Sequence, residues 1–304
     1  MLKDLTKLHG FGRMTFSCPA CGSQNKIDAG FSAQNRYPLS HCRKCGLGSL
    51  EIVDDVQAGF DEYWSEVNQS IYADPVVIEE LSKKYRGYFE KILAIIPNKR
   101  FLDVGSGAGV SMAVAAKTGL EVTGLEPSGN AVALSRRLYD LPVIQGLLQV
   151  DDSLPRDYGA IALWDVIEHV EDPETLIRVC QQHLTAGGIL LLETPDEGTL
   201  LRRIICAIGR MKFSGFDPRR EIYYRAHRFY FTREAMTQLL RRCGFDDVRF
   251  FAERTMYQKE LRKKKLYEGL SPAKELLLRI VFAMLRHLPF LSNKMVVIAC
   301  KTSN

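Results

Sequence analysis

The chain has 304 residues, of which 46% are hydrophobic and 25% charged, as expected of a globular protein with one large or two modest domains. Its formal net charge of +5 is mildly basic. No apolar run reaches the roughly 18 residues that a membrane-spanning helix needs, and the first residues lack the apolar core of a secretion signal. We therefore expect a cytoplasmic protein, free or at the inner face of the membrane, with its eight cysteines reduced.

Two C-x-x-C-G pairs near the N-terminus indicate a metal site. Cys18 and Cys21 form the first pair, and Cys42 and Cys45 form the second, with 20 residues between the pairs. Four thiolates in a tetrahedral arrangement suit structural Zn²⁺, whose binding would supply much of the folding free energy of so small a module. A redox pair and a rubredoxin-like iron site are the alternatives. His41, which precedes Cys42, is interpreted as a bystander because four cysteines complete the ligand set.

The next segment, residues 56–99, is predicted to be a linker followed by a leading helix. The linker is acidic and aromatic, and its Tyr63 and Trp64 are expected to pack rather than to reach an active site. Apolar residues from Val76 to Ile96 then follow helical spacing. Asp74 is the predicted N-cap, since a proline suited to the first turn follows it.

The functional prediction depends on the stretch from Arg100 to Pro127. Its pattern predicts a buried strand, a glycine turn, a helix and a second strand that ends at Glu126. Glycines let a ligand approach the backbone closely, and a carboxylate after the second strand can accept hydrogen bonds from a ribose diol. The turn sequence D-V-G-S-G-A-G supplies the candidate cofactor-binding residues Asp103, Gly105, Ser106, Gly107 and Gly109.

Two cofactors could use such a turn. A nicotinamide cofactor favours G-x-G-x-x-G, but here the third glycine comes one residue early and Val110 stands in its place. Asp103 would repel a pyrophosphate, whereas it suits the cationic S-adenosylmethionine (SAM). The stretch resembles motif I and the following acidic residue of class I SAM-dependent methyltransferases. A tight strand–helix turn without a ligand remains the alternative.

A second segment, D-V-I-E-H-V-E-D-P from Asp165 to Pro173, resembles that of the ubiquinone-biosynthesis O-methyltransferase group. The resemblance implies that Trp164 and Asp165 lie beside the sulfonium and amino-acid end of SAM. Glu168 and His169 are expected to start the next helix on the substrate side. His169 is there either a general base or a residue that only shapes the pocket.

Three further residues complete the predicted site. Leu147 and Leu148 follow the third strand and are expected to pass under the adenine. Many relatives have an aspartate where this chain has Leu147, so backbone groups would recognise the adenine here. The segment H-R-F-Y-F-T also resembles the family and places His227 near the pocket. His227 is a second candidate base, or else it bonds the loop backbone.

Residues 196–231 and 254–291 are predicted to be insertions on the substrate side. The first contains a basic amphipathic helix whose predicted apolar face consists of Leu200, Leu201, Ile204, Ile205 and Ile208. The second contains a basic run and an apolar stretch too short to span a bilayer. Each could pack on its own domain or lie on an anionic membrane. This concentration of positive charge favours an anionic partner, which could be a sugar phosphate or nucleotide, a phospholipid-linked carrier, a membrane face or RNA, with a solvated charged face as the alternative. Nucleic acid is the less favoured partner because the segment between the cysteine pairs is hardly basic enough to follow a phosphate backbone.

We predict an α/β fold with a zinc ribbon at 1–55, a linker and helix at 56–99, and a Rossmann-like methyltransferase domain at 100–304. The resemblance implies a seven-stranded sheet of order 3-2-1-4-5-7-6, with the last strand antiparallel, and the cofactors SAM and structural Zn²⁺. The expected reaction is O-methylation of a sugar, glycolipid or isoprenoid-type acceptor. An RNA methyltransferase and a non-catalytic scaffold that binds a partner or a membrane are the alternatives.

Overall fold

A computed structural model describes most of the chain. The predicted insertion at 254–291 lies outside the described residues, as do residues 1–16 and 52–55 of the predicted ribbon and residues 56–59 of the predicted linker. The described ranges are 17–33, 37–51, 60–149, 154–210, 217–223, 226–253 and 292–302.

The described residues form two β-sheets. In chain order the strands are β1 (Lys26–Ala33), β2 (Tyr37–Cys42), β3 (Gly48–Leu50), β4 (Arg100–Val104), β5 (Glu121–Glu126), β6 (Val143–Gln145), β7 (Tyr158–Trp164), β8 (Leu184–Pro195), β9 (Phe229–Tyr230), β10 (Phe245–Glu253) and β11 (Lys294–Lys301). The smaller sheet has the order β1-β2-β3-β9, and the larger has the order β6-β5-β4-β7-β8-β11-β10. Strands β4 to β8 are parallel, whereas β11 is antiparallel to both neighbours. The predicted order 3-2-1-4-5-7-6 is confirmed.

Helices cover both faces of the larger sheet. They are α1 (Phe60–Tyr63), α2 (Glu66–Tyr72), α3 (Pro75–Leu93), α4 (Val110–Lys117), α5 (Gly129–Tyr139), α6 (Pro173–His183), α7 (Leu200–Arg210) and α8 (Arg233–Arg242), with a 3₁₀ turn at Pro218–Glu221. As predicted, Asp74 caps α3 by accepting a hydrogen bond from the Val76 N–H. None of the helices in the described ranges combines the length and hydropathy that crossing a bilayer requires.

Strand β4 contributes side chains to the hydrophobic clusters on both faces of the larger sheet. Successive strand residues point to opposite faces of the sheet, so Phe101 and Leu102 join different clusters. Phe101 meets Phe89 of α3 with ring centroids 5.2 Å apart, while Leu102 packs in the cluster that α6 and α8 complete. All seven residues of β7 are buried. Such a fully buried apolar strand is expected where helices cover a parallel sheet on both sides.

The helix after β7 begins later than the sequence analysis proposed. It starts at Pro173, and Asp172 caps it by accepting a hydrogen bond from the Thr175 N–H at 3.0 Å. The expectation that Glu168 and His169 start this helix is therefore wrong, since both lie in the preceding turn. A capping aspartate followed by proline fixes the start of the helix. The side chains of Glu168 and His169 consequently remain at the carboxyl edge of the sheet.

The ribbon is tied to the second half of the chain. Strand β9, which follows His227 closely, pairs antiparallel with β3 of the ribbon. The Thr232 hydroxyl donates to the Cys45 carbonyl at 2.6 Å, and the Arg242 guanidinium donates to the Ala20 carbonyl at 3.1 Å. The ribbon and the segment after His227 thus share one sheet.

Thr232 makes two contacts at once, since its hydroxyl donates to Cys45 and also accepts from the Ala235 N–H as the N-cap of α8. Thr232→Val keeps the shape and removes both contacts, so the free energy of unfolding should fall by about 1–2 kcal/mol. Thr237→Val is the matched control, because the Thr237 hydroxyl bonds, within the described part of the chain, a carbonyl of its own helix. Urea unfolding measures both variants, and an equal loss in the two would contradict a special role for Thr232.

Candidate functional site

The turn after β4 is shaped by its glycines. Gly105, Gly107 and Gly109 have φ angles of +73°, +53° and +81°. A Cβ at Gly107 would lie 2.8 Å from the Trp64 indole, and one at Gly109 would lie 2.2 Å from the Ser135 hydroxyl. The left-handed backbone and these close contacts together require glycine at both positions. Trp64 has a packing role, as expected, and the surface on which it packs is this glycine turn.

Glu126 faces the turn from the end of β5 and is only 4% exposed. Its two carboxylate oxygens accept hydrogen bonds from the N–H groups of Gly107 and Ser128, each at 2.9 Å. Burial raises the pKa of Glu126, and the two backbone N–H groups offset part of that rise. A carboxylate has about four lone-pair sites, so roughly two acceptor sites remain for a ligand.

Asp103 is fully buried at the other side of the turn. Neither of its oxygens accepts a hydrogen bond of normal geometry from a described residue. Burial raises the pKa of Asp103 to about 8; the Ser111 hydroxyl offsets part of the rise, and the charge of Glu126 adds to it. The Ser106 hydroxyl is likewise buried without a partner among the described residues. The turn therefore holds polar groups that the described chain leaves unsatisfied.

Three other predicted cofactor residues lie around this edge in different settings. The Trp164 indole N–H donates to the Ser111 hydroxyl of α4 at 2.8 Å, and its ring packs on Tyr85 at 4.8 Å. Leu148 is partly buried against the core, whereas Leu147 is 42% exposed. Trp164 thus has a packing role in the layer of α3 and α4, and cofactor contacts of all three residues stay predictions.

A network of alternating charges lies beside the predicted sulfonium end. Asp165 has a φ of +55°, which is uncommon for a residue other than glycine, and its carboxylate accepts a hydrogen bond from Lys294. Lys294 also lies 3.4 Å from Glu193, whose other oxygen bonds Lys84 at 2.6 Å. Burial opposes ionisation of Asp165, but the charges of Lys294 and Lys84 outweigh it and hold its pKa below the usual value. Of these four residues, sequence reasoning found only Asp165.

The two candidate bases lie together although they are far apart in sequence. The rings of His169 and His227 meet edge to face with centroids 4.7 Å apart. The backbone N–H groups of Arg228 and Phe229 both donate to the Glu168 carbonyl, at 2.8 and 3.1 Å. Oε1 of Glu168 lies 3.9 Å from Nε2 of His227. These backbone bonds bring the segment of His227 to the turn that holds His169.

Burial determines the protonation of this trio. Burial lowers the pKa of His169, and burial together with the neighbouring His169 lowers that of His227 well below its ordinary value. The Nδ1–H of His169 donates to the Ala226 carbonyl, which leaves the lone pair on Nε2 of the neutral ring. Burial and the charge of Asp165 raise the pKa of Glu168 well above its usual value. Ligand atoms of Glu168, His169 and His227 all lie within 4.8 Å of one another, so they can share a proton or hold a cation.

The four ribbon cysteines also come together as predicted. The Sγ atoms of Cys18 and Cys45 are 3.6 Å apart, and those of Cys21 and Cys42 are 3.5 Å apart. Tetrahedral Zn²⁺ with bonds of about 2.3 Å would place its sulfur ligands about 3.8 Å apart. The hydrogen bond from the Cys45 thiol lowers the pKa of Cys18 to about 5. The donor set and its spacing therefore fit a structural zinc ion.

His41 lies outside the four-cysteine set, as expected, yet it has a contact that the sequence did not reveal. Its Nε2 lies 3.2 Å from Oε1 of Glu197, and the other Glu197 oxygen accepts from Arg202 at 2.8 Å. The Arg202 guanidinium lies over the rings of Tyr223 and Tyr230, 5.3 and 5.1 Å from their centroids. This network joins the ribbon to α7.

The chain is similar in sequence to a known protein family and to several curated proteins. A family model described as a methyltransferase domain matches residues 77–249. A ubiquinone biosynthesis O-methyltransferase of Xanthomonas campestris pv. campestris (strain B100) is 31% identical over 109 residues, which are 33% of this chain and 44% of that protein. One of Yersinia pestis (strain Pestoides F) is 27% identical over 133 residues, 41% of this chain and 51% of that protein. The match thus spans about half the length of these curated relatives.

A solved structure shows the same fold. Phosphoethanolamine N-methyltransferase 2 of Haemonchus contortus, in complex with phosphomonomethylethanolamine and S-adenosylhomocysteine, aligns with a TM-score of 0.52 and 16% identity. The alignment covers 83% of this chain and 61% of that one. Because the matching family model covers more than half of the sequence and the sheet order agrees, the chain belongs to the methyltransferase domain family.

Proposed function

We propose that the protein is a SAM-dependent methyltransferase that acts on an oxygen of a small or carrier-linked acceptor. One observation carries the proposal: a single sheet edge holds a glycine turn with Glu126 on one side and the His169–His227 pair on the other. When bound, SAM would supply a methyl group activated by a cationic sulfonium. The protein then has to position donor and acceptor and remove one proton.

The residues of the turn suit SAM. Glu126 retains acceptor sites for the two ribose hydroxyls, since backbone N–H groups use only two of its lone pairs. Asp103 is a buried carboxyl group that accepts no hydrogen bond of normal geometry from the described residues, and a cationic amino group nearby would favour its charged form. Gly105, Gly107 and Gly109 leave backbone without side chains at three positions of the turn, which lets a ligand approach closely. We assign Leu147 and Leu148 to the adenine.

Proton removal is assigned to the histidine pair. His169 is the better base, because it is half-buried and its Nε2 carries a lone pair. His227 is buried beside it and orients the pair through Glu168. Asp165, held ionised by Lys294, supplies negative charge toward the sulfonium end.

The acceptor class rests on likeness and on the surroundings of the site. The matched relatives carry the name ubiquinone biosynthesis O-methyltransferase, and an isoprenoid-type acceptor follows by analogy with that name. The ribbon would support the acceptor side, since β9 extends its sheet directly after His227. The structural Zn²⁺ would keep that sheet folded.

Removing Glu126 tests the cofactor side. Glu126→Ala takes away the ribose acceptor and the tie to Gly107, so SAM affinity should fall by about 10- to 100-fold, the worth of one or two hydrogen bonds. Glu121→Ala, an exposed glutamate at the other end of β5, should bind SAM as the wild type does. Calorimetry measures all three proteins. The cofactor assignment is refuted if folded, zinc-loaded wild type binds no SAM.

The buried Asp103 gives a pH dependence of stability in the free protein. Its pKa of about 8 exceeds the ordinary aspartate value of 3.8, so the folded state keeps a proton that the unfolded state loses between these values. The free energy of unfolding should therefore decrease as pH rises through that window. Asp103→Asn removes this pH-dependent loss of stability. The free energy of unfolding of the variant should therefore rise relative to that of the wild type between pH 5.5 and pH 8.

Urea unfolding at the two pH values makes the comparison, and the exposed Asp140→Asn serves as the matched control because asparagine tolerates its left-handed φ of 49°. Asp103→Asn should also weaken SAM binding by removing a negative charge. If Asp103→Asn and the wild type show the same slope with pH, the carboxyl is not held protonated.

The histidine pair is tested by transfer of labelled methyl from SAM into fractionated cell extract. His169→Ala should lower turnover by about 10²- to 10⁴-fold, the range for loss of a general base, while SAM affinity changes less than about twofold. Because burial lowers the pKa of His169, wild-type activity should persist below pH 6.5 before it declines.

Three other results of this transfer experiment would change the assignment. Full activity of both His169→Ala and His227→Ala would remove the pair from proton transfer. Label that enters the RNA fraction would favour the RNA methyltransferase alternative. SAM binding without transfer into any fraction would favour the scaffold.

A further inference from the structure

Helix α7 is inverted relative to an ordinary surface helix. A surface helix normally turns its apolar stripe toward the core and its charges toward water. In α7 the buried residues are Arg202 and Gly209. Leu200, Ile204 and Ile208 are instead 49%, 45% and 46% exposed. The simple expectation, that this helix packs its apolar face on its own domain, therefore fails for these three residues.

The inward face of α7 is occupied by polar contacts that hold this orientation. Arg202 bonds Glu197 at 2.8 Å and is only 7% exposed. A Cβ at Gly209 would lie 2.6 Å from Oδ1 of Asp217 and 2.7 Å from Nε of Arg219. Rotating the helix to bury its apolar stripe would break the buried ion pair, which is strongly destabilising. The exposed stripe is thus built into the fold.

The outward face has the chemistry of a lipid-binding helix. Leu200, Ile204 and Ile208 recur every four residues and so form one line along a helix about 16 Å long. Arg203 and Arg210 are exposed near this line, and α7 contains no acidic residue. Apolar side chains flanked by cations bind the boundary between anionic headgroups and acyl chains. The net charge of +5 acts in the same direction.

The helix also lies next to the proposed acceptor site. It follows β8 and therefore starts from the carboxyl edge of the sheet, the edge that holds the histidine pair. The Arg202 guanidinium lies over the Tyr230 ring, and that ring packs on His227 with centroids 5.7 Å apart. The inward face of α7 thus contacts the acceptor side of the site, and a surface bound to the outward face would be separated from it by the width of this helix.

We propose that the outward face of α7 docks on the surface of an anionic lipid bilayer, from which a lipid-linked acceptor reaches the histidine pair. The docking surface consists of Leu200, Ile204 and Ile208 with Arg203 and Arg210. The delivery of an acceptor rests on the proposed function, whereas the docking itself does not.

Co-sedimentation of the full zinc-loaded chain with vesicles tests the proposal. The wild type should bind vesicles of phosphatidylcholine mixed with phosphatidylglycerol more tightly than vesicles of phosphatidylcholine alone. Ile204→Ser combined with Ile208→Ser should weaken binding to the mixed vesicles at least tenfold. Arg203→Glu combined with Arg210→Glu should abolish the preference for phosphatidylglycerol. Ala207→Ser, at an exposed position of the same helix, is the matched control and should bind as the wild type does.

Two measurements on the same proteins keep the outcomes distinct. Thermal unfolding should match in all variants, since the altered side chains are exposed. The proposal fails if the wild type binds neither vesicle or if the double serine variant binds as the wild type does. It also fails if light scattering shows a wild-type dimer that the serine variant dissolves, because the stripe is then a subunit contact. Vesicle binding by a protein that binds no SAM would contradict the proposed function and leave the docking intact.

Discussion

The site depends on one buried carboxylate held by backbone. Glu126 accepts hydrogen bonds from Gly107 in the turn after β4 and from Ser128 at the start of α5. These bonds fix a tight turn against the end of the neighbouring strand, and the close packing of Trp64 on Gly107 covers it. A charged group in such a position costs free energy unless hydrogen bonds compensate it. The geometry therefore keeps an acidic acceptor preorganised at the sheet edge without a ligand.

The opposite side of the edge is assembled by backbone bonds to a single carbonyl. Arg228 and Phe229 both donate to Glu168, and this pairing carries His227 to His169. The same segment continues into β9 and completes the sheet of the ribbon. Metal binding by the ribbon would thereby stabilise the acceptor side rather than the cofactor side. The ribbon, although remote in sequence, therefore supports the structure of the candidate site.

Local sequence patterns predicted much of this arrangement. Strand periodicity and glycine spacing predicted the strand, turn and helix from Arg100 to Glu126, and the paired cysteines predicted the four-thiol cluster, because these features lie in short contiguous segments. The order of the strands in the sheet came from the resemblance to class I methyltransferases and not from local patterns. The capping signal of Asp172 and Pro173 was present in the sequence and marks where α6 starts. The contact of Asp165 with Lys294, 129 residues away, left no local signal. Nor could periodicity show that Arg202 turns inward, since an amphipathic pattern gives the faces of a helix and not which face is buried.

Hydrogen exchange of backbone amides with and without SAM tests the central claim, that the edge at Glu126 holds the cofactor. Bound SAM should slow exchange at the amides of Gly107 and Ser128. Exchange requires these amides to open from their hydrogen bonds to Glu126, and that opening would also disturb the contacts of Glu126 with SAM. The amides of β1, β2 and β3 should exchange as before. Protection that appears elsewhere and spares Gly107 and Ser128 at saturating SAM would contradict the account.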